Sequence, residues 1–235
     1  MEGQLPQITL ADQAGFTLAV RDLFSTPVDA IVNPANSGLS HGSGLAEQIS
    51  LVAGQALDDE CGAIIARQGM LKPGSAAVTT AGLMDFTAVI HAVGPRIGMG
   101  DEQSVLEQTL WACLRAAEQS TQQALAEGVN RTIQSVAFPA IGTGDSGLPE
   151  SVCAQAFANV VQEYIHTCGG HDYRLHDIWL CVGKDAFETF ATPLDMGLLR
   201  MPEQEQQEVE VGEVTLDVDD IAALEDDSVD EWFIK

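Results

Sequence analysis

Short apolar runs alternate with long amphipathic segments along most of this chain, and this alternation strongly limits the folds open to it. The segments "DAIVNP", "AVIHAVGP" and "SVAFPAIG" are apolar runs of strand length, separated by segments with helical spacing. Strands that are apolar on both sides are typical of parallel sheets covered by helices on both faces. The sequence therefore predicts an α/β fold.

The remaining elements are predicted from periodicity and from glycine positions. "QITLADQ" and "GFTLAVRDLF" predict an opening hairpin with Gly15 at the turn, and "SAAVTTAG" and "DIWLCVG" predict two more strands. Helices are predicted over 44–69 with a break at Gly54, over 101–128 with a stop at Gly128, and over 149–170 with a stop at Gly169. A last helix is predicted over "KDAFETFATPL".

The charge of the chain is concentrated at its C-terminal end. The net charge is −25, and residues 201–235 hold 13 acids and one Lys, so they alone contribute −12. This balance argues against binding of nucleic acid through its phosphates. We expect a folded domain over residues 1–199 and an acidic tail over residues 200–235 that is flexible or docks on a protein partner. Trp232, Phe233 and Ile234 are the expected anchors in the docking case.

Cysteine usage and hydropathy set the expected compartment. The chain has no apolar run near ~20 residues, so we expect no contact with a membrane. The start "MEGQLPQITLADQAG" lacks the basic and apolar parts of a signal peptide, which predicts a cytoplasmic protein. The cysteine count is odd and no pair has C-x-x-C spacing, which predicts buried free thiols, no disulfide framework and no metal site. The cysteines are Cys61, Cys113, Cys153, Cys168 and Cys181.

Two glycine loops follow buried strands and precede predicted helices. The first loop, Gly38–Gly44, follows "VDAIVNPAN", and the second loop, Gly142–Gly147, has the sequence "GTGDSG". Glycine allows backbone N–H groups to converge, and a helix N-terminus adds positive potential, so such loops suit phosphate. Each loop alone is weak evidence, and neither matches the Walker or dinucleotide pattern. Two loops at one cleft would suit a diphosphate.

From about Ile8 to Thr192, the sequence resembles the macrodomain family. The resemblance rests on "VDAIVNPAN", "HGSGLAEQI", "LKPGSAAVTTAG", "VIHAVGP" and "SVAFPAIGTGDSGLPE", in the order and spacing of the family. The "HGSGLA" variant is most similar to macrodomains attached to some ADP-ribosyltransferases. The resemblance implies a three-layer α/β/α domain with a mixed, mostly parallel sheet. It also implies that this domain binds ADP-ribose, free or attached to protein, with no cofactor.

The resemblance also implies roles for individual residues. Asp22 is expected to bind the adenine amino group, and Asn36 is expected to bind the distal ribose, since an amide donates to and accepts from a hydroxyl without adding charge beside a diphosphate. The alternatives are that Asp22 is a turn residue and Asn33 a strand-end cap. The implied ligand-binding set is Asp22, Leu23, Asn33, Asn36, Gly42, Ser43, Gly44, Leu45, Ala140, Ile141, Gly142, Thr143, Gly144, Asp145, Ser146 and Gly147.

This sequence departs from the family pattern at three places. Hydrolytic members usually carry an aspartate where this chain has Ala46. An aromatic residue often stands where this chain has Ser146, and another often stacks on adenine where it has Val182, with Phe187 further on. The nucleotide is therefore expected to be held with less stacking, at a cost of ~1 kcal/mol per lost ring contact.

Catalysis would require a positioned water and a base near the distal ribose. The candidates are Asn36 for positioning, with His41, Asp145 or the ligand diphosphate assisting the water. Glu47 would be rotated by ~100° from the usual acid on a helix. The alternatives are that His41 stabilises the loop at the surface and that Asp145 caps the turn, and His91 is expected to be a core residue.

Two functions follow from these residues. The first is an ADP-ribosyl hydrolase that removes ester-linked mono-ADP-ribose from protein or from a small acceptor. The second is a non-catalytic reader that binds ADP-ribose and recruits a partner through its acidic tail. Ala46 favours the reader, whereas the acids and the histidine predicted at the cleft favour the enzyme. A protein-interaction module with a vestigial cleft is a weaker third alternative, because the predicted binding residues are all present.

Overall fold

Seven strands form one sheet in the computed structural model, which describes residues 7–10, 15–129, 131–167 and 175–195. The strands are β1 (Gln7–Leu10), β2 (Gly15–Val20), β3 (Ala30–Ala35), β4 (Ser75–Thr79), β5 (Ala88–Val93), β6 (Ser135–Pro139) and β7 (Asp177–Val182). Their order across the sheet is β1-β2-β7-β6-β3-β5-β4. The five strands from β2 to β5 in this order are parallel, and the two edge strands pair antiparallel to their neighbours.

Within the described residues, five helices cover the two faces of this sheet. They are α1 (Gly44–Ala53), α2 (Gln55–Gln68), α3 (Glu102–Glu127), α4 (Glu150–Thr167) and α5 (Phe187–Asp195). Helices α1 and α2 pack on one face, and α3, α4 and α5 pack on the other. Short 3-10 turns cover Leu23–Ser25 and Lys184–Ala186. The predicted three-layer α/β/α fold with a mixed, mostly parallel sheet is confirmed.

The central strands contribute to both hydrophobic layers. In β3, Ala30 and Val32 face the layer of α3 to α5, whereas Ile31 faces the layer of α1 and α2. Side chains alternate across a strand, so a strand covered on both faces is apolar throughout. The register Ala30↔Ala88 to Ala35↔Val93 aligns β3 with β5, so their carboxyl ends lie at one edge.

Two helix boundaries lie at the glycines where the sequence analysis predicts them. Gly54 has a φ of 77° and separates α1 from α2. Gly128 has a φ of 69° and its N–H closes the last turn of α3. The turn before Gly15, the stop at Gly169 and the acidic tail lie outside the described residues.

In the described part of the chain, the helices are unlike membrane spans and the cysteines are buried. No helix in it has the length and apolarity that a bilayer crossing requires. Its four cysteines are buried and free; they are Cys61, Cys113, Cys153 and Cys181.

Candidate functional site

The predicted binding segments lie at one edge of the sheet, in a fixed order. Asp22 follows β2, the second loop follows β6 and the first loop follows β3, and β7 lies between β2 and β6. All four strands are parallel, so their carboxyl ends share this edge. At ~4.8 Å per strand, the span from β2 to β3 is about 14 Å. Crevices at such edges are the usual ligand sites of α/β sheets.

Asp22 presents a free carboxylate at one end of this edge. Its backbone oxygen accepts hydrogen bonds from the Ser25 N–H at 3.3 Å and from Thr26 Oγ1 at 2.9 Å. Its side chain is exposed and makes no capping hydrogen bond. The turn is therefore held by the backbone of Asp22, and the carboxylate remains available to a ligand. Leu23 is buried, at 5% exposure, so only its backbone can face a ligand.

Asn36 organises the first loop through its side-chain amide. Its Oδ1 accepts the backbone N–H of Gly38 at 3.0 Å and that of Ser40 at 3.1 Å. Its Nδ2 donates to the Ser40 carbonyl at 2.7 Å and to Ser40 Oγ at 3.0 Å. The side chain is exposed, so a ribose hydroxyl can share these groups. Leu39 has a φ of 49°, a left-handed conformation that these bonds help to hold.

His41 anchors the same loop from beneath. Its side chain is only 5% exposed, and its Nε2 lies 3.6 Å from Asp58 Oδ1 on α2. Its Nδ1 lies 3.5 Å from Asn33 Nδ2, which also lies 3.0 Å from His91 Nδ1. Burial lowers the pKa of His41, and the nearby Asp58 carboxylate partly opposes this. The geometry fits two neutral imidazoles, each of which accepts one hydrogen from the Asn33 amide.

His91 completes this buried network. Its Nε2 lies 2.8 Å from Thr79 Oγ1 and 3.6 Å from Cys61 Sγ, and its pKa is lowered to about 3 by burial and then by His41. Potential metal-ligand atoms of His41, Cys61 and His91 lie within 4.8 Å of one another. However, both ring nitrogens of His91 are in hydrogen bonds, and burial, then Asp58, raises the pKa of the Cys61 thiol to about 12. This network is best described as a hydrogen-bonded support for the first loop.

The second loop is held mainly by its own backbone. Gly147 N–H donates to the Gly144 carbonyl and Leu148 N–H to the Gly142 carbonyl, both at 2.9 Å. Gly142 has a φ of 95°, and a Cβ there would lie 2.7 Å from Leu148 Cδ1. The chain therefore requires glycine at this position. Ile97 N–H adds a bond to the Ser146 carbonyl from the loop after β5.

One side-chain hydrogen bond joins the two loops. Ser43 Oγ donates to Asp145 Oδ2 at 2.5 Å, although the two residues are 102 positions apart in the sequence. Both side chains are exposed. The loops thus meet across the edge of the sheet, at the place where a diphosphate is expected.

The three departures from the family pattern have clear positions. Ala46 is half-buried in the first turn of α1, and Glu47 beside it is exposed. Ser146 is half-buried in the second loop. Val182 and Phe187 are buried in the core, at 5% and 7% exposure, so neither presents a free face at the surface.

Three positions differ from the sequence-based expectation. Asn33 is fully buried in β3, so its side chain supports the first loop and does not face a ligand directly. His41 is not at the surface, because Asn33 and Asp58 hold it under the loop. The Asp145 carboxylate is bonded to Ser43 on the opposite loop, whereas the alternative expected it to cap its own turn.

The partners of these side chains were missed by sequence reasoning. The folded chain brings three partners into contact with these residues, namely Ser40, Asp58 and Thr79. No sequence motif identifies these partners. One sequence signal is that Ser40 stands four residues after Asn36. At this spacing, the side chain of an asparagine can bond to the backbone and close a loop.

Two surface grooves are lined by residues outside the predicted binding set. One, of about 580 Å³, is lined by Ile97, Asp101, Leu148 and Val152 among others and borders the second loop. The other, of about 610 Å³, is lined in part by Pro27, Phe86 and Ser135, which precede β3, β5 and β6 at the opposite edge.

Comparison with known proteins identifies similar chains. The family model described as Macro domain matches residues 32–157. The O-acetyl-ADP-ribose deacetylase of Salmonella gallinarum is 38% identical over 146 residues, which are 61% of this chain and 75% of that protein. The protein mono-ADP-ribosyltransferase PARP14 of Homo sapiens is 34% identical over 188 residues, which are 79% of this chain and only 10% of that protein.

A solved structure has the same fold. The Oceanobacillus iheyensis macrodomain with ADP superposes with a TM-score of 0.66 at 20% sequence identity, and the match covers 82% of this chain and 97% of that one. At this identity the likeness concerns the fold. It agrees with the three-layer arrangement described above.

Proposed function

The chain belongs to the macrodomain family, and we propose that it binds ADP-ribose along the carboxyl edge of its sheet and hydrolyses ester-linked ADP-ribosyl groups. Relatives named O-acetyl-ADP-ribose deacetylase support the ester as the bond that is cleaved.

The order of groups along the edge is the observation that carries this proposal. The Asp22 carboxylate comes first, the second loop and its following helix come next, and the first loop with the Asn36 amide comes last. These groups span about 14 Å. ADP-ribose is an extended molecule with an adenine, a diphosphate and a distal ribose in the same order. Asp22 would bind the adenine amino group, the second loop the diphosphate, and Asn36 the distal ribose.

Calorimetric titration with ADP-ribose tests the binding step. We expect 1:1 binding without added metal, and Asp22→Ala should weaken it by ~1.5–3 kcal/mol, the range for a hydrogen bond to a charged group. Asp59→Ala is the matched control, because it removes one exposed acid whose carboxylate is bonded to Gln55 on the same helix. A flat trace for the wild type at high micromolar ADP-ribose would overturn the proposed binding.

Hydrolysis by this site would depend on positioning and electrostatics. An ester has a good leaving group, so a water held beside it by the ribose-binding amide can attack with modest help. Backbone N–H groups of the glycine loops would stabilise the developing charge. The ligand diphosphate or Asp145 would assist the water, because Ala46 supplies no carboxylate.

Release of acetate from O-acetyl-ADP-ribose, and of ADP-ribose from mono-ADP-ribosylated protein, tests the enzymatic step by mass spectrometry. We expect slow release by the wild type, its loss in Asn36→Ala, and faster release in Ala46→Asp. General-base help is typically worth ~10²–10⁴-fold, which sets the upper limit of the gain.

Ala46 also favours a second function, that of a non-catalytic reader of ADP-ribosylation. The same assay separates the two functions. A wild type that binds ADP-ribose tightly but releases nothing above the buffer control over hours is a reader. In that case the acidic residues 200–235 are the proposed recruitment segment.

A further inference from the structure

We propose that Ser43 and Asp145 form a latch that closes the two glycine loops over the bound diphosphate and slows its dissociation. The observation is their hydrogen bond of 2.5 Å, which joins loops held by separate parts of the fold. The inference rests on the proposed binding of ADP-ribose at this edge. The latch retains the ligand in the site, and Asp145 has a positioning role in it.

Ser43 does not use its hydroxyl as a serine at a helix start normally does. Its backbone is in the N-cap conformation, with φ −162° and ψ 161°, and its carbonyl accepts the Glu47 N–H at 3.3 Å. An N-cap serine ordinarily bonds its hydroxyl to an N–H of the first turn, yet Ser43 makes no such bond. The first-turn N–H groups are thus left for an anion, while the hydroxyl reaches the other loop.

Asp145 is an unusual residue to place beside a diphosphate. A free carboxylate there would repel the phosphates, since like charges close together raise the energy of the complex. The hydrogen bond from Ser43 holds the carboxylate in the link between the loops and satisfies one of its oxygens. The same bond fixes the direction of the carboxylate, so Asp145 joins the two loops.

The latch can open because each loop has its own support. His41 holds the first loop against Asp58, and the backbone bonds around Gly142 hold the second. At Gly42 and Gly144, which flank the latch, an added Cβ would meet no atom within 4 Å, so the tips have room to separate. Opening therefore breaks one exposed hydrogen bond and leaves both loop bases in place.

The test is the dissociation rate of ADP-ribose, measured by surface plasmon resonance on the immobilised full chain. Ser43→Ala and Asp145→Ala should each raise the rate about three- to tenfold, as expected for one partly exposed hydrogen bond to a charged group. The double variant should be no faster than either single variant. Asp145→Asn should retain most of the slow dissociation, because its amide oxygen still accepts from Ser43, although it cannot act as a base.

Ser135→Ala is the matched control. Ser135 Oγ also donates to a carboxylate, Asp29 Oδ2, at 2.9 Å, and this pair is 106 positions apart but lies at the opposite edge of the sheet. The carboxylate keeps two backbone donors in the variant, from Gln134 and residue 135. We expect no change in the dissociation rate, so a general effect of removing a serine hydroxyl is excluded.

The outcomes separate the latch from the proposed function. If the wild type binds ADP-ribose and Ser43→Ala dissociates at the same rate, or if Asp145→Asn behaves as Asp145→Ala does, the latch is overturned and binding stands. If the wild type does not bind, the proposed function is overturned. Amide hydrogen exchange of the ligand-free protein then decides the latch: faster exchange over residues 142–148 in Ser43→Ala supports it, and unchanged exchange overturns it.

Discussion

The two glycine loops lie at the same edge of the sheet but are stabilised in different ways. The first loop depends on side chains, since Asn36 closes it from within and His41 is clamped beneath it by Asn33 and Asp58. The second loop depends on backbone hydrogen bonds and on the positive φ of Gly142. Removal of a polar side chain should therefore disturb the first loop most. Replacement of a glycine by alanine should disturb the second loop most.

We expect the greatest loss of folding stability from a substitution in the second loop. Gly142→Ala places a Cβ 2.7 Å from Leu148 Cδ1 and 3.3 Å from Cys153 Sγ, in a backbone conformation that alanine rarely adopts. Overpacking and backbone strain together should lower the free energy of unfolding by about 2–5 kcal/mol, measured by urea denaturation. Gly144→Ala, which would meet no atom within 4 Å, is the control. Equal stability of the two variants would contradict a backbone-held loop.

A fall in pH should weaken the buried histidine network that supports the first loop. The pKa of His91 is about 3 in the folded protein, below its ordinary value of 6.5, because of burial and then His41. Its folded pKa is depressed, so the stability it contributes is present above pH ~6.5 and is lost as the pH falls towards 3. Between pH 7.5 and pH 5, this should cost about 2 kcal/mol of unfolding free energy. His41 adds to the loss in the same direction.

Denaturation curves of the wild type and of His91→Gln measured across this range check that effect. The variant should start less stable at pH 7.5 and then lose about 2 kcal/mol less than the wild type on going to pH 5. Parallel pH profiles for the two proteins would show that His91 does not remain neutral in the fold.

Removing the amide of the first loop should have a smaller effect. Asn36→Ala loses hydrogen bonds to two backbone N–H groups and to the Ser40 carbonyl, in an exposed setting where water replaces part of them. We expect ADP-ribose binding to weaken by about 1–2 kcal/mol by calorimetry. Asn36→Asp keeps both acceptor contacts with the backbone, so amide exchange over residues 37–40 should remain nearer to wild type than in the alanine variant.

The smallest effects should come from the hydroxyl groups that supplement each loop. Ser40→Ala removes the 3.0 Å contact with Asn36 Nδ2, and Thr143→Val removes a 2.8 Å bond from Thr143 Oγ1 to the Ala140 carbonyl. Each should change binding by about 0.5–1 kcal/mol. A loss above ~2 kcal/mol in Thr143→Val would show that the second loop also depends on side chains.

Most of the fold was predictable because its signals are local. Continuous apolar strands, amphipathic helices and the glycines at positions 54 and 128 each follow from the chemistry of neighbouring residues. The glycine loops were found in the same way, whereas Asp22 and Asn36 were assigned through the family resemblance. The burial of Asn33 and His41 was not predictable, because the burial of a residue at a strand end or in a loop depends on which distant segments pack against it.

The alternation of strands and helices, the glycines of two loops and the residue types that suit a nucleotide can all be read from the order of the amino acids. The pairing of distant groups depends on the folded chain: His41 meets Asp58, His91 meets Thr79, and Ser43 meets Asp145. Hydrogen bonds across 102 positions have no spacing rule, since they depend on strand order and on the paths of two separate loops. The roles of Ser43 and Asp145 therefore emerge only when β3 and β6 lie side by side.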